Sequence, residues 1–192
     1  MRAPDYVEPI VGWRVWHVAE RGGELQLRSP LYRSAWPHRR HLDASCSPRA
    51  EAALGLLRSG RFGHLPPDVE CGCGIYAGAT PARAVAYMSK FFKPHHDVVH
   101  RVVGTVSLWG TVVVCEQGWR ASHAYPAHIY VPVPTRRKLP QAGGVERPLV
   151  PVEDVALGLV DYGVPVELVE CATLPELAAT LGCERLELGE AA

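Results

Sequence analysis

Four residues carrying the donor atoms of a soft-metal site, Cys46, His64, Cys71 and Cys73, fall within one stretch of twenty-eight residues. Thiolate sulfur and imidazole nitrogen are the ligands that Zn²⁺ takes in tetrahedral structural sites. Gly72 and Gly74 flank Cys73 and let the backbone turn tightly enough for both thiolates to address one ion. Leu65-Pro66-Pro67 follows His64 and would fix the loop that delivers it. Four protein ligands close the coordination sphere, which points to a structural ion. If one of the four stands apart, an open position returns and metal-assisted catalysis becomes available. Iron or an iron–sulfur cluster accepts the same donors and is the lesser alternative. C-x-C is less diagnostic than C-x₂-C, and the competing explanation is that Cys71 and Cys73 are small residues alternating into a strand, with His64 on the surface. His41, five residues before Cys46, could also compete with His64 for the metal. Cys115, Cys171 and Cys183 sit in or beside β-like runs, and each is expected to be a buried apolar thiol.

A second group offers apolar walls and a few polar handles rather than metal ligands. Trp109, Glu116, Trp119, Arg120 and Tyr125 converge around a predicted β-turn and form a candidate ligand-binding set. The bland alternative is an aromatic core with a Glu116–Arg120 surface pair. Trp36-Pro37-His38-Arg39-Arg40-His41 joins a ring, two imidazoles and two guanidiniums, a composition suited to phosphate or to stacking on a base, or else to a solvated loop. His95 and His96 follow a helix, where the dipole favours histidine, and are assigned no function. The chain carries no Walker A loop, no G-x-G-x-x-G, no H-E-x-x-H and no G-x-S-x-G.

The elements that must position these residues follow from periodicity. Residues 11–19 alternate as a half-buried strand should, except that Trp13, Val15 and Val18 cannot share one face, which calls for a bulge or twist. Arg21-Gly22-Gly23 turns the chain into a second strand at 25–27, making a hairpin. Residues 29–46 are an irregular but ordered loop. Ser47-Pro48 opens a short helix with Ala52, Ala53, Leu56 and Leu57 as its stripe, and 60–73 is loop again. Thr80-Pro81 repeats the cap-plus-proline pattern ahead of a second helix whose face is Val85, Met88, Phe91 and Phe92, ending before Pro94. Two β-rich runs span 98–116, with Gly104 and Gly110 as kinks or bulges, and a third run at 127–134 contains prolines that suggest an edge. The remainder is expected to be helix 152–162 ended by Gly163, strand 164–170, helix 174–181 ended by Gly182, and strand 183–188. Thr173 and Glu176 form a capping box.

The expected fold is therefore α+β, a mixed and mostly antiparallel β-sheet with a few short helices and a metal-stabilised loop. Residues 1–134 would be the β-rich core domain with the Cys/His loop, 135–149 a mobile surface loop, and 150–192 a C-terminal αβαβ extension packed on the core. At 192 residues the chain fits one domain, and 47% apolar with 21% charged residues is globular rather than disordered. Twenty basic residues balance twenty acidic ones, which argues against a strongly basic nucleic-acid coat, though a local patch stays open. Only Lys90, Lys93 and Lys138 are lysine, so nearly all positive charge is guanidinium, as a GC-rich coding sequence also produces. Met1-Arg2-Ala3-Pro4-Asp5 does not read as a secretory signal and no run of eighteen apolar residues suggests a membrane span. The expected compartment is the cytoplasm, where thiols stay reduced.

Cys71-Gly72-Cys73-Gly74-Ile75-Tyr76-Ala77, Leu108-Trp109-Gly110, Gly118-Trp119-Arg120-Ala121 and Ala124-Tyr125-Pro126 together resemble a family of bacterial conserved hypothetical proteins. The resemblance covers residues 11–133, includes the Cys46 and His64 positions and implies no activity. Gly74-Ile75-Tyr76-Ala77 leading into Thr80-Pro81-Ala82-Arg83-Ala84 is similar to NAD-using ADP-ribosyltransferase-type domains, where a strand with an aromatic residue is followed by a capped helix. That likeness implies an enzyme acting on NAD or a nucleotide. The catalytic arginine and glutamate of those domains have no assigned counterpart, and Tyr76 and Glu116 are the residues to suspect. The residues themselves favour a zinc-stabilised binding module for a small ligand, a nucleotide or a partner protein. A third possibility is an accessory protein that docks a partner through residues 150–190.

Overall fold

The structure, a computed structural model, describes residues 5–31, 34–46, 64–89, 97–134, 150–171 and 173–189. The helix expected at 48–58, the loop at 135–149, His95, His96, Phe91 and Phe92 lie outside these residues, as do the side chains of Met88 and Cys183.

Strands β1 (Asp5–Arg21) and β2 (Glu24–Arg28) form the expected hairpin, joined at Gly22-Gly23 with both residues at positive φ. Two residues, Leu42–Asp43, make the short β3, and Ile75–Gly78 make β4. The helix α1 (Pro81–Ser89) begins at Thr80, whose Oγ1 accepts the Arg83 backbone N–H at 3.2 Å. Then come β5 (Val98–Cys115) and β6 (Gly118–Pro134), a long hairpin turning at Glu116-Gln117. A helix α2 (Val152–Leu159) runs into a 3₁₀ turn (Val160–Tyr162) that Gly163 ends at φ 69°. Strand β7 (Val166–Cys171) and helix α3 (Leu174–Gly189) complete the order.

All pairings between these strands are antiparallel except that β7 lies parallel to β6. The fold is α+β with a mixed, mostly antiparallel sheet, as expected. β1 pairs with β5, β5 with β6, β6 with β4, and β4 returns to β1 through Trp13–Gly78, so four strands close a circuit. Closure brings the backbones of β1 and β4 close together. A side chain at Gly12 would stand 2.7 Å from Ala77 Cβ and 3.2 Å from the Trp119 ring.

Several expectations are corrected. β1 is not half-buried, because both of its faces are covered. Trp13 and Val15 pack with Val103, with Ala84 and Val85 of α1, and with Leu177, Ala178 and Leu181 of α3. Trp16 and Val18 belong to the other core with Leu27, Trp36 and Val102, and with Val155 and Leu159 of α2. Trp13, Val15 and Val18 thus need not share a face, although the ladder with β5 does shift at Val18/Ala19. The two runs at 98–116 are one strand, irregular at Thr105/Val106 and at Trp109/Val112, where Gly110 has φ 74°. The third run is the second half of β6, which is paired along its length. Its prolines are tolerated because Pro126 sits at a register shift, while Pro132 and Pro134 lie past the last β5 ladder pairing at Tyr130 and pair with β7. Gly182 does not end α3, and residues 183–188, expected as a strand, belong to that helix, so among the described residues the C-terminal part is αβα. A glycine inside a helix costs about 1 kcal/mol, which flanking leucine, alanine and glutamate outweigh. Thr173 caps α3 as expected, accepting the Glu176 N–H at 3.3 Å.

Tyr162 ties α2's end to the N-terminal hairpin. Buried, it accepts the Leu27 N–H at 2.9 Å and donates to Trp36 O at 2.7 Å, and burial pushes its phenol well above the usual range. Among the described residues no helix is long and apolar enough to cross a membrane.

His17 carries a pH prediction. It is buried on β1, directly across from Arg28 and Arg101. Burial, and then the charge of Arg101, lower its imidazole to about 4, with Asp97 opposing. The unfolded value is near 6.5, so between these limits the unfolded chain binds more protons. Stability from this group is complete above about pH 6.5 and is lost as pH falls to about 4, a change on the order of 3 kcal/mol. Urea unfolding from pH 7 to 4 should show this decline, and His17→Gln should flatten it. An equally steep decline in the variant would place the acid sensitivity elsewhere.

Candidate metal centre and adjoining cavity

Each arm of the Cys/His constellation is anchored to the sheet. Cys46 follows β3, and the Ala44 N–H donates to Ser122 O of β6 at 2.7 Å. The segment before β4 turns through Asp68, whose Oδ1 accepts the Glu70 N–H at 2.8 Å and whose carbonyl accepts the Cys71 N–H at 3.2 Å. Cys73 then leads into β4 through Gly74, which has φ 118° and lies between Pro67 and Arg120. An added Cβ would meet theirs at 2.9 and 3.2 Å.

These supports bring Cys46, His64, Cys71 and Cys73 together, with one ligand atom from each lying within 4.8 Å of the others. Cys46 Sγ is 3.9 Å from Cys71 Sγ, and His64 Nε2 is 3.3 Å from Cys73 Sγ. A tetrahedral ion with Zn–S of about 2.3 Å and Zn–N of about 2.05 Å separates its ligand atoms by roughly 3.5–3.8 Å. The spacing fits, and the cluster can coordinate a metal ion. Cys71 and Cys73 are buried, while Cys46 and His64 are half-buried. Among the described residues, none of the five cysteines with described side chains is joined in a disulfide.

Arg120 sits behind this loop, not in a ligand pocket. It is 6% exposed, and its Nη1 donates to the carbonyls of Cys71, of Cys73 at 2.7 Å and of Asp68 at 3.2 Å. Burial alone would lower its pKa, but the thiols of Cys115 and Cys73 and the Tyr76 hydroxyl more than offset this and raise it. Tyr76, opposite Arg120 in the β4–β6 ladder, donates its hydroxyl to Gly72 O at 2.5 Å. The loop between the ligands is thus held from two sides.

The five residues proposed for one ligand pocket are not brought together. Trp109 and Tyr125 line a shallow groove of about 460 Å³ with Arg39, Arg40, His41 and Tyr162. Trp119 lines a separate cavity of about 380 Å³ bounded by β1, β4 and α1. Glu116 is exposed on the hairpin turn. The Trp36–His41 cluster is divided likewise: Trp36 is wholly buried edge-on against Trp16 at 5.5 Å, leaving Arg39, Arg40 and His41 on the groove. His41 does not compete for the metal with His64. Its Nε2 is 3.1 Å from Asp43 Oδ1, the oxygen that His123 Nδ1 also meets at 2.8 Å, and these three form a separate, largely exposed group. The His123 hydrogen bond is the largest influence on the Asp43 carboxyl, which is held below its ordinary value. Cys171 is a buried thiol as expected, but Cys115 is half-buried and lines the 380 Å³ cavity.

Sequence reasoning missed Arg14, Asp43 and His123. A signal for Arg14 existed: it shares strand parity with Trp16 and Val18, so a charge is placed on a core-facing row. Comparison with protein-family models, with curated proteins and with solved structures finds no match for this chain.

Proposed function

We propose that this chain is a zinc-stabilised binding module of a reducing, cytoplasmic compartment, in which a structural ion held by Cys46, His64, Cys71 and Cys73 shapes a cavity for a small ligand. The convergence of the four donor atoms within 4.8 Å on a loop that Arg120 clamps supports this reading above all. Ser45 precedes one ligand, Gly74, Ile75 and Tyr76 follow another, and all four line the 380 Å³ cavity, so the loop and the cavity share a wall. Four protein donors leave no open position, which suits an ion that builds rather than reacts. Three sulfurs and one nitrogen suit zinc, and iron is the alternative the same donors would accept.

No observation favours an enzyme acting on NAD or a nucleotide. The Tyr76 hydroxyl is engaged by Gly72 O, and Glu116 stands on an exposed turn. The test of the module is metal content with an absorption spectrum, on protein purified without added metal. One colourless zinc per chain is expected. Iron with visible bands would move the reading to redox chemistry or sensing, and protein with no metal would overturn it.

A further inference from the structure

Arg14 is the unusual residue of the cavity wall. It projects from the middle of β1 and is half-buried. Nη1 donates to Tyr76 O and Nη2 to Ser29 Oγ at 3.0 Å, while Nε is buried without a partner. Its guanidinium lies 5.0 Å from the Trp36 ring centre, and among the described residues it forms no ion pair with a carboxylate. The cavity wall carries a second guanidinium, Arg83 of α1, and one carboxylate, Asp43, which His41 and His123 already engage. Tyr76 and Tyr87 stack at 5.9 Å and 16° beside Arg14, and Trp119 completes an aromatic lining. Burial lowers the Arg14 guanidinium to about 10, with Tyr87 opposing, and it remains a cation at neutral pH. A cation withdrawn from water without a counter-ion destabilises a fold unless something occupies the remaining donors. Aromatic walls around a few convergent charged groups are the composition of a ligand site.

We propose that this cavity binds a small organic oxyanion, a carboxylate or phosphate monoester on a flat apolar body, with Arg14 as its anchor and Tyr76, Tyr87 and Trp119 as its walls. The inference deepens the binding-module reading by naming the ligand class, and it rests on that reading only in that the domain captures a small ligand. Arg14 offers two or more unoccupied N–H groups to the oxyanion, and Arg83 at the rim supplies the second charge.

The probes are benzoate, phenyl phosphate and the neutral benzamide, titrated into the full chain and followed by calorimetry and tryptophan fluorescence. Metal content is measured in parallel. Benzoate or phenyl phosphate should bind at least tenfold more tightly than benzamide, and whichever of the two is preferred separates carboxylate from phosphate recognition. Arg14→Met should lose that binding tenfold or more, with circular dichroism confirming that the variant is folded. Arg14→Lys should recover part of the binding. Benzamide binding as well as the anions, or Arg14→Met binding them as well as the parent, would overturn the site. So would a lowered melting temperature in Arg14→Met without anion binding by the parent, since Arg14 would then be a strut for Tyr76 and Ser29. A folded protein with one zinc per chain that ignores both anions sinks the anion site alone. Anion binding by a protein without metal sinks the zinc reading alone.

Discussion

Replacing Cys71 and Cys73 together by serine is expected to remove the bound metal and to lower the melting temperature by about 10–20 °C, equivalent to roughly 5 kcal/mol for a chain of this length. The two thiols are the buried half of the tetrad, 4% and 2% exposed, and they border the turn that leads into β4. Structural zinc contributes about 10–16 kcal/mol to peptides that have no other core. This chain has two cores of its own, so a smaller loss is expected and the sheet should survive. Thermal unfolding followed by circular dichroism checks it, and a strong chelator should reproduce the loss in the parent protein. A double variant that melts with the parent would mean the loop stands without an ion.

Arg120→Ala is the second large effect, and its direction reverses what the residue's type and setting suggest. Beside Trp119, near a turn and close to Tyr125, an arginine reads as a ligand handle whose removal leaves the fold intact. In the structure its guanidinium carries the carbonyls of Asp68, Cys71 and Cys73. Alanine takes this shared donor away from the buried carbonyls of Cys71 and Cys73, while Asp68 O keeps the Cys71 N–H, at a cost of about 3–5 kcal/mol. Metal affinity should fall about 10–100-fold, as it does when groups that orient ligands are removed. Arg120→Lys should restore only part of both, since an ammonium cannot reproduce the planar fork. Urea unfolding and competition against a metal-binding dye measure the two effects. An unchanged unfolding midpoint in the alanine variant would return Arg120 to the role of a ligand handle.

Where a local rule acts alone, the sequence was legible. Gly22-Gly23 turns the first hairpin, Thr80-Pro81 and Thr173 start their helices, and Gly163 ends another. The four candidate ligands could be grouped because their donor chemistry is uncommon at such density, and no competing period claims them. What failed depended on partners distant in the chain. The burial of β1 on both faces comes from helices that start sixty or more residues later. Gly182 could not be known to lie inside a helix rather than after one, since its cost is small against the flanking residues. The separation of Trp109 and Tyr125 from Trp119 is one of distance along the strand pair, since Trp109 is in register with His123 and Trp119 with Val114 at the far end of the hairpin. Arg120 and Arg14 show the limit most plainly: one turned from the surface to clamp a loop, the other left without a carboxylate, and neither fact is local.

Cys46, His64, Cys71 and Cys73 are proposed to hold one zinc ion together. X-ray absorption at the zinc edge, on the same protein purified without added metal, tests it most directly. Three sulfur neighbours at about 2.3 Å and one nitrogen at about 2.0–2.1 Å are predicted. A shell of nitrogen and oxygen without sulfur, or protein without zinc, would contradict it.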